Sequence, residues 1–469
     1  MSFQFRACTL DQPLLLAPSL QQWLPERHLA RFIADVTEQL DLSAIYSAYD
    51  RQDGRGQAGY HPLLLTRLLL YGYCVGVASS RAIERKTYED VAFRYLAADQ
   101  HPDHDTIANF RKQHLATLGE LFVQALQLCQ KAGLVKLGHV AIDGTKMQAN
   151  ASKHKAMSYG RMGEAEQKLQ AEVAALLRHA EEVDEAEDRH YGKGQRGDEL
   201  PAELARRESR LKKIREAKEA LEAEARQKAQ EQKAQAEAKI AARQEQEKQT
   251  GQKPRGRAPQ VHNPAEAQPK SSSQRNFTDP ESRIMPDGTH KGSFLQAYNA
   301  QAAVDSAAQI IVAAEITQQS NDKQQLVPML QQVIDNVQGK PQVASADTGY
   351  WSAANVTAEN LHGIDLHVAT ERQPHDESKD VPPEDGLPEG SSALQQMRDK
   401  LKTETGKAVY KMRKQIVEPV FGYIKEGRGF RRFSFRGLGN VRSEWRLICA
   451  THNLLKLFRS GWKMQLSSS

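Results

Sequence analysis

His139-Val-Ala-Ile-Asp-Gly-Thr-Lys146 and Val343-Ala-Ser-Ala-Asp-Thr-Gly-Tyr-Trp351 share one pattern. A run of small and β-branched residues reaches an aspartate, Asp143 or Asp347, and glycine follows within two positions. Such a run reads as a buried strand that delivers a carboxylate to the edge of a sheet. A third stretch, Tyr410-Lys-Met-Arg-Lys-Gln-Ile-Val-Glu-Pro-Val-Phe-Gly-Tyr-Ile-Lys425, reads as a helix carrying Glu418. Tyr410, Lys414, Glu418, Phe421 and Lys425 recur on one helical face, and Ile416, Val420 and Ile424 on another. Two strand-borne aspartates and a helix-borne glutamate that meet in space can hold two divalent cations over a phosphodiester. Magnesium takes oxygen ligands and keeps waters or phosphates, so few carboxylates suffice. Plainer readings stand beside this one. An aspartate at a strand end can be a turn former bonding its own backbone, and Lys414 with Glu418 can be an ion pair on a solvated face. Pro419 removes a backbone donor and disfavours helix at Glu418, which predicts a kink or a helix restart there.

Around these stretches, strand signals run from Leu295 to Val304, Gln309 to Ile316 and Asp365 to Thr370. Helices are expected over Asp322–Val337, Leu394–Lys425 and Val441–Arg459. Strands interleaved with helices make an α/β domain from residues 138–160 and 275–469, interrupted by an acidic loop at 371–393. Between the two segments of that domain, Met162, Leu169, Val173, Leu176, Ala180 and Val183 follow a seven-residue repeat that Leu204, Leu211, Ile214 and Leu221 resume. Tyr191-Gly-Lys-Gly-Gln-Arg-Gly197 between them reads as a turn, so residues 161–229 are expected to form an antiparallel helical coiled-coil hairpin. Residues 230–274, polar and Pro-containing, are expected to be a flexible linker. Apolar stripes across residues 1–137 predict a compact N-terminal helical domain, expected to bind DNA. Its segment from Arg81 to His114, with Ser79, Ser80 and Asp105 as cap signals, is either a helix-turn-helix reader presenting Arg111 and Lys112 or a helical module without DNA contact.

Composition narrows the class without deciding it. The chain has 469 residues, a formal charge of +5 and 6% aromatics, with mean hydropathy −0.65 and pI near 8.8. Nucleic-acid binding is thus allowed rather than demanded, and placement of charge decides. Cys8, Cys74, Cys129 and Cys449 form no CxxC pair, which argues against a zinc site or a disulfide framework and for a reducing compartment. Without a secretory signal or a bilayer-length apolar run, a cytoplasmic, soluble protein is expected. The basic signal is strongest at the C-terminus: ten Lys or Arg against two Glu between Lys425 and Lys463, with aromatics interspersed. Arg428, Arg431, Arg432 and Arg436, in a Gly-rich loop, are the residues expected to meet DNA. Trp445 reads as the buried side of the last helix, and Trp351 as packing beneath the carboxylates.

Asp11-Gln-Pro-Leu-Leu-Leu16, Trp23-Leu-Pro-Glu-Arg-His28, Glu89-Asp-Val-Ala-Phe-Arg-Tyr-Leu96, Ile142-Asp-Gly-Thr-Lys146, Tyr298-Asn-Ala-Gln301, Ala346-Asp-Thr-Gly-Tyr350, Val417-Glu-Pro-Val-Phe-Gly422 and Trp445 to Asn453 together resemble bacterial insertion-sequence transposases of the DDE type. That resemblance implies an α/β, RNase H-like catalytic domain with Asp143, Asp347 and Glu418 as catalytic triad and metal ligands. It implies a pair of Mg2+ or Mn2+ ions. It also implies a basic helix face holding the DNA end through Tyr410, Lys425 and either Arg413 or Lys414, since one extra residue separates Arg413 from Glu418. The expected protein is a nucleoid-associated homodimer on paired terminal inverted repeats that cleaves double-stranded DNA and joins it to a target. The alternatives are a metal-dependent nuclease without strand transfer and a non-catalytic, architectural DNA-binding protein.

Overall fold

The apolar stripes of the N-terminal third fold into α1 (Leu20–Trp23), α2 (Leu29–Gln39), α3 (Ser43–Tyr46), α4 (Pro62–Cys74), α5 (Ser80–Glu89), α6 (Val91–Leu96), α7 (His104–Gln113) and α8 (Leu115–Lys131). Their starts are chemically marked. Pro62 opens α4, where a missing N–H costs nothing, and Asp90 accepts the Ala92 N–H at 2.9 Å to cap α6. Asp103, not the expected Asp105, caps α7 by accepting the Thr106 N–H at 2.8 Å. The computed structural model describes residues 19–49, 59–191, 202–250, 259–371 except 262, 289 and 291, and 393–462.

Beyond α8 come β1 (His139–Gln148) and the short β2 (Ala156–Ser158), followed by α9 (Tyr159–Tyr191) and α10 (Ala202–Thr250). The chain returns through β3 (Gln274–Asn276), β4 (Arg283–Pro286), β5 (Phe294–Asp305), β6 (Ile310–Thr317), α11 (Leu326–Val337), β7 (Val343–Ala346), α12 (Ala353–Val356) and β8 (Asp365–Val368). It closes with α13 (Ala393–Lys402), α14 (Glu404–Gly422) and α15 (Leu438–Arg459). β1 is central in a mixed sheet: β5 pairs antiparallel on one side and β7 parallel on the other, with β8 parallel to β7. The far edge of β5 carries β4 and β6, both antiparallel. From Gln296 to its end β5 is buried and rich in alanine, which lets layers pack closely on both faces of the sheet.

Two expectations about boundaries are corrected. The N-terminal helices do not close a core of their own: α15 packs against both α8 and β6, and one continuous apolar core joins the helices to the sheet. Gly119 permits this, because a Cβ there would stand 2.9 Å from Ser443 Cα on α15. The linker expected at 230–274 begins too early, because α10 continues to Thr250. Ala, Gln, Glu and Lys are strong helix formers, and no Gly or Pro interrupts them between Ala202 and Gly251.

The hairpin itself is present. Met162, Leu169, Leu211, Ile214, Ala217 and Leu221 form its buried seam, separate from the main core, while Ala180, Val183 and Leu204, and the turn after Tyr191, lie outside the residues whose packing is described. Its root is pinned where β2 pairs with β3 and where Glu224 accepts from Arg275 and Arg283 at 2.6 and 2.9 Å. The acidic loop also falls largely outside the described residues.

Pro419 does not restart α14, which runs through it to Gly422 before a wider π turn at Tyr423–Gly427. A distant side chain meets the carbonyl that the proline leaves free. A residue with an N–H at 419 would satisfy the Gln415 carbonyl, and here the Gln309 side chain donates to that carbonyl instead, at 3.0 Å.

Candidate active site

The register of the central strands decides what meets. Ile142 of β1 pairs with Ala346, the last residue of β7, so Asp143 and Asp347 follow on adjacent parallel strands. Each also bonds nearby backbone, Asp143 Oδ1 accepting the Gly144 N–H at 2.8 Å and Asp347 Oδ1 the Gly349 N–H at 2.9 Å. The turn-former bonds are thus present at both aspartates, and the two stand on neighbouring strands. Helix α14 crosses one face of β1 and places Arg413 Nη1 3.1 Å from Asp143 Oδ2, with the guanidinium 5.7 Å from the Tyr410 ring centre. Burial pushes the Asp143 carboxyl up to about 6, against the opposing pull of Arg413, and Asp347 adds to the rise. Asp347 is raised by burial as well, with Arg413 opposing and Asp322 reinforcing.

On the opposite face of β1 lies a second polar group that the sequence reading missed. Residues 144 and 146 pair with Gln301 and Asn299 of β5, so these share a face. Asn299 Nδ2 and Gln301 Nε2 each donate to Asp322 Oδ1 at 2.6 Å, and Lys146 Nζ stands 4.0 Å from the same oxygen. The absence of a side chain at Gly144 makes room: a Cβ would fall 2.3 Å from Gln301 Nε2 and 2.9 Å from Asp322 Oδ1. Gln301 is held in turn by the Tyr350 hydroxyl, which donates to its side-chain oxygen, and by the Trp445 indole N–H, which donates to its carbonyl at 3.0 Å. Trp445 is fully buried and Trp351 packs against the core, both as expected. Two amides two residues apart in Tyr298-Asn-Ala-Gln301 were the available signal. Asp322 had none, because it read as a helix start.

Glu418 is placed differently from the expectation. It is exposed on α14 while Arg413, Val417 and Val420 turn inward, about 80° around the helix from Tyr410. Among the described residues no group of three or more acidic, His or Cys side chains stands close enough to hold a metal ion. The expected metal set of Asp143, Asp347 and Glu418 is thus not assembled, and Arg413 and Lys146 supply the positive charge beside the two aspartates. The donor chemistry still suits a hard divalent cation: Asp347 raises Asp143 and Asp322 raises Asp347, and a cation relieves that repulsion.

Residues 18–113 match the family described as Transposase domain (DUF772), and residues 387–458 match the Transposase DDE domain. The two matches support an insertion-sequence transposase of the DDE type. The second match contains α14 and nearly all of α15, the elements that bring Arg413 to Asp143 and Trp445 to Gln301. No curated protein and no solved structure matches the chain. Transposases act on DNA, and no described helix is long and apolar enough to cross a membrane.

Within this transposase the basic residues divide sharply. Lys425 donates to Thr145 Oγ1 at 2.5 Å and to the Lys146 carbonyl at 2.9 Å, directly along β1 from Asp143. Lys112, Lys414, Arg431, Arg432 and Arg436 are exposed, Arg431 pairing with Glu426. Arg428 is a correction. It is buried, donates to Thr451 Oγ1 at 2.8 Å and to the Ile448 carbonyl at 3.1 Å, and lies over the Tyr423 and Phe430 rings. Arg111 is another: it is buried, donates to the Ala78 carbonyl and lies 5.2 Å from the Phe435 ring centre. Both cations tie loops to the core, so the helix-turn-helix reading loses the inward half of its proposed reading helix. Cys74, Cys129 and Cys449 are buried free thiols, and Cys8 lies outside the described residues.

Proposed function

We propose that this transposase binds the terminal inverted repeats of its own element as a homodimer on paired ends, and that an RNase H-like domain built on the mixed sheet cuts and joins the strands. The observation that carries the reading is the placement of Asp143 and Asp347 on adjacent strands beneath the Arg413 helix, in a chain with transposase segments on both sides. Asp143 and Asp347 are the proposed holders of Mg2+ or Mn2+, and Glu418, which α14 turns outward, is the third carboxylate that the family resemblance implies. Bound divalent ions supply activation of the attacking oxygen and stabilisation of the leaving oxygen. The chain's own groups do the rest. Arg413 offers a planar pair of donors to a phosphate, Lys425 fixes the backbone beside Thr145, and Tyr410 flanks the guanidinium. In the first step a water oxygen bonds to phosphorus, the bond to the 3′ oxygen breaks, and that oxygen takes a proton to become the free 3′-OH. In the second, this hydroxyl attacks a target phosphodiester and loses its proton, the target's bond from phosphorus to the 3′ oxygen breaks, and that leaving oxygen takes up a proton.

The test is an assay on labelled element-end duplexes with Mg2+ or Mn2+, comparing the wild type with Asp143→Asn, Asp347→Asn and Glu418→Gln. Expected are nicked and joined products from the wild type, with both lost in each variant while DNA binding persists. Cleavage surviving in all three variants would overturn the triad. Cleavage without joined products would make the protein a nuclease on the same fold.

A further inference from the structure

Two basic segments far apart in the chain are sewn into one surface. The Gln148 N–H donates to the Arg431 carbonyl at 3.1 Å, and the Phe433 N–H donates to the Gln148 carbonyl at 2.9 Å. Asn150 Nδ2 donates to the Ser434 carbonyl at 2.7 Å, and Arg436 Nε returns a bond to the Asn150 carbonyl at 2.9 Å. The loop after α14 is therefore fastened along the far end of β1, and a groove of about 540 Å³ opens beside the junction. Lys153, His154, Lys155, Arg432 and Arg436 line it, with Phe294, half exposed, on its wall. No Asp or Glu is among the lining residues, and no ion pair within 4.0 Å joins these side chains to an acid among the described residues. A groove lined by one sign of charge concentrates the opposite sign.

Its position supplies the register. From Asp143 to Gln148 is five residues of extended β1, about 17 Å at roughly 3.4 Å per residue, and Lys425 lies between the two ends. A DNA strand advances about 3.4 Å per nucleotide. We infer that this groove is a backbone-phosphate site for duplex DNA, meeting the strand about five nucleotides from the bond held at Asp143. This rests on the proposed DNA-end reading of the site and adds to it a second, sequence-independent anchor. Ser152 carries the local shape, its hydroxyl accepting the His154 N–H at 3.3 Å and its carbonyl accepting from Asn276 at 2.8 Å. The lysine side chains themselves are exposed, so their removal leaves the frame in place.

The experiment uses the full chain and an element-end duplex, with the dissociation constant followed from low to moderate salt. Lys153→Ala/Lys155→Ala is expected to reduce the salt slope by about 1.8 and to weaken binding roughly tenfold at low salt, with an unchanged thermal midpoint. Arg432→Ala is expected to remove about 0.9 more. Single methylphosphonates, which delete one phosphate charge, are expected to weaken wild-type binding at four to six nucleotides from the cleaved bond, and no longer to do so in the double variant. Unchanged slope in the double variant, or interference confined to other positions, overturns the groove while leaving the active-site reading intact. Failure of the wild type to bind the duplex at all sinks both.

Discussion

Replacing Arg413 with Gln isolates the electrostatics of the site. The guanidinium stands 3.1 Å from Asp143 Oδ2, and the two side chains are 8% and 20% exposed. Coulomb's law at an effective dielectric of about 20 puts that pair near 5 kcal/mol. Partial exposure of the aspartate and the usual cost of breaking a buried pair bring the expected loss to about 3 kcal/mol at pH 7.5. The loss must depend on pH. Asp143 titrates at about 6 in the folded chain against an ordinary 3.8. Proton binding therefore favours the folded state, a contribution fully present below the unfolded value and lost as pH rises through about 6. Without Arg413 the folded value climbs further and the loss reaches higher pH. Wild type and Arg413→Gln should thus have nearly equal thermal midpoints at pH 5, where Asp143 is largely protonated in both. They should separate by a few degrees by pH 7.5. Calorimetry across that range, in chelator, is the assay. A deficit of the same size at both pH values would mean that Arg413 acts only by packing, and no deficit at either would mean that the ion pair contributes nothing.

Gly144→Ala should cost about 1–3 kcal/mol and reduce cleavage, because the new methyl must displace Gln301, Asn299 and Asp322 together. Gly138→Ala, with no atom within 4 Å of its new Cβ, is the matched control and should leave the midpoint unchanged; equal effects from the two would deny the crowding at Gly144. Ile214→Ala removes a side chain only 1% exposed from the hairpin seam, a local loss of about 2–4 kcal/mol. Because that seam is separate from the main core, proteolysis within 161–229 should quicken while the tryptophan-reported midpoint of the body stays put. Cleavage at the wild-type rate would show that the seam does not hold the hairpin.

Local chemistry made much of this molecule legible. Small and β-branched runs that reach Asp143 and Asp347 are strands because such residues fit a sheet buried on both faces; β7 stops at Ala346 just before Asp347 as that pattern placed it, whereas β1 runs past Asp143 to Gln148, which leaves Asp143 within a central strand. The repeat through Leu211, Ile214 and Leu221 needed a partner stripe, and the helix opposite provides it. Side-chain direction was less legible. Glu418 shares a helix with Tyr410 and Arg413, yet the rotation of α14 against the sheet turns Arg413 inward and leaves Glu418 outside. Arg428 and Arg111 looked like surface cations because cations usually are. Their burial depends on aromatic rings and carbonyls contributed by segments distant in the chain.

By itself the sequence determined the elements, the two strand-borne aspartates and the interruption of the α/β region by a helical hairpin, since these follow from periodicity, turn residues and helix propensity over short spans. Only the tertiary structure decided that the N-terminal helices and α15 share one core, that Asp322 faces Lys146 across from Gly144, and that Arg413 stands at Asp143. It alone sewed the basic loop to the end of β1. Those facts depend on strand register and on which face of a helix meets the sheet, and both are set by packing among residues tens to hundreds of positions apart.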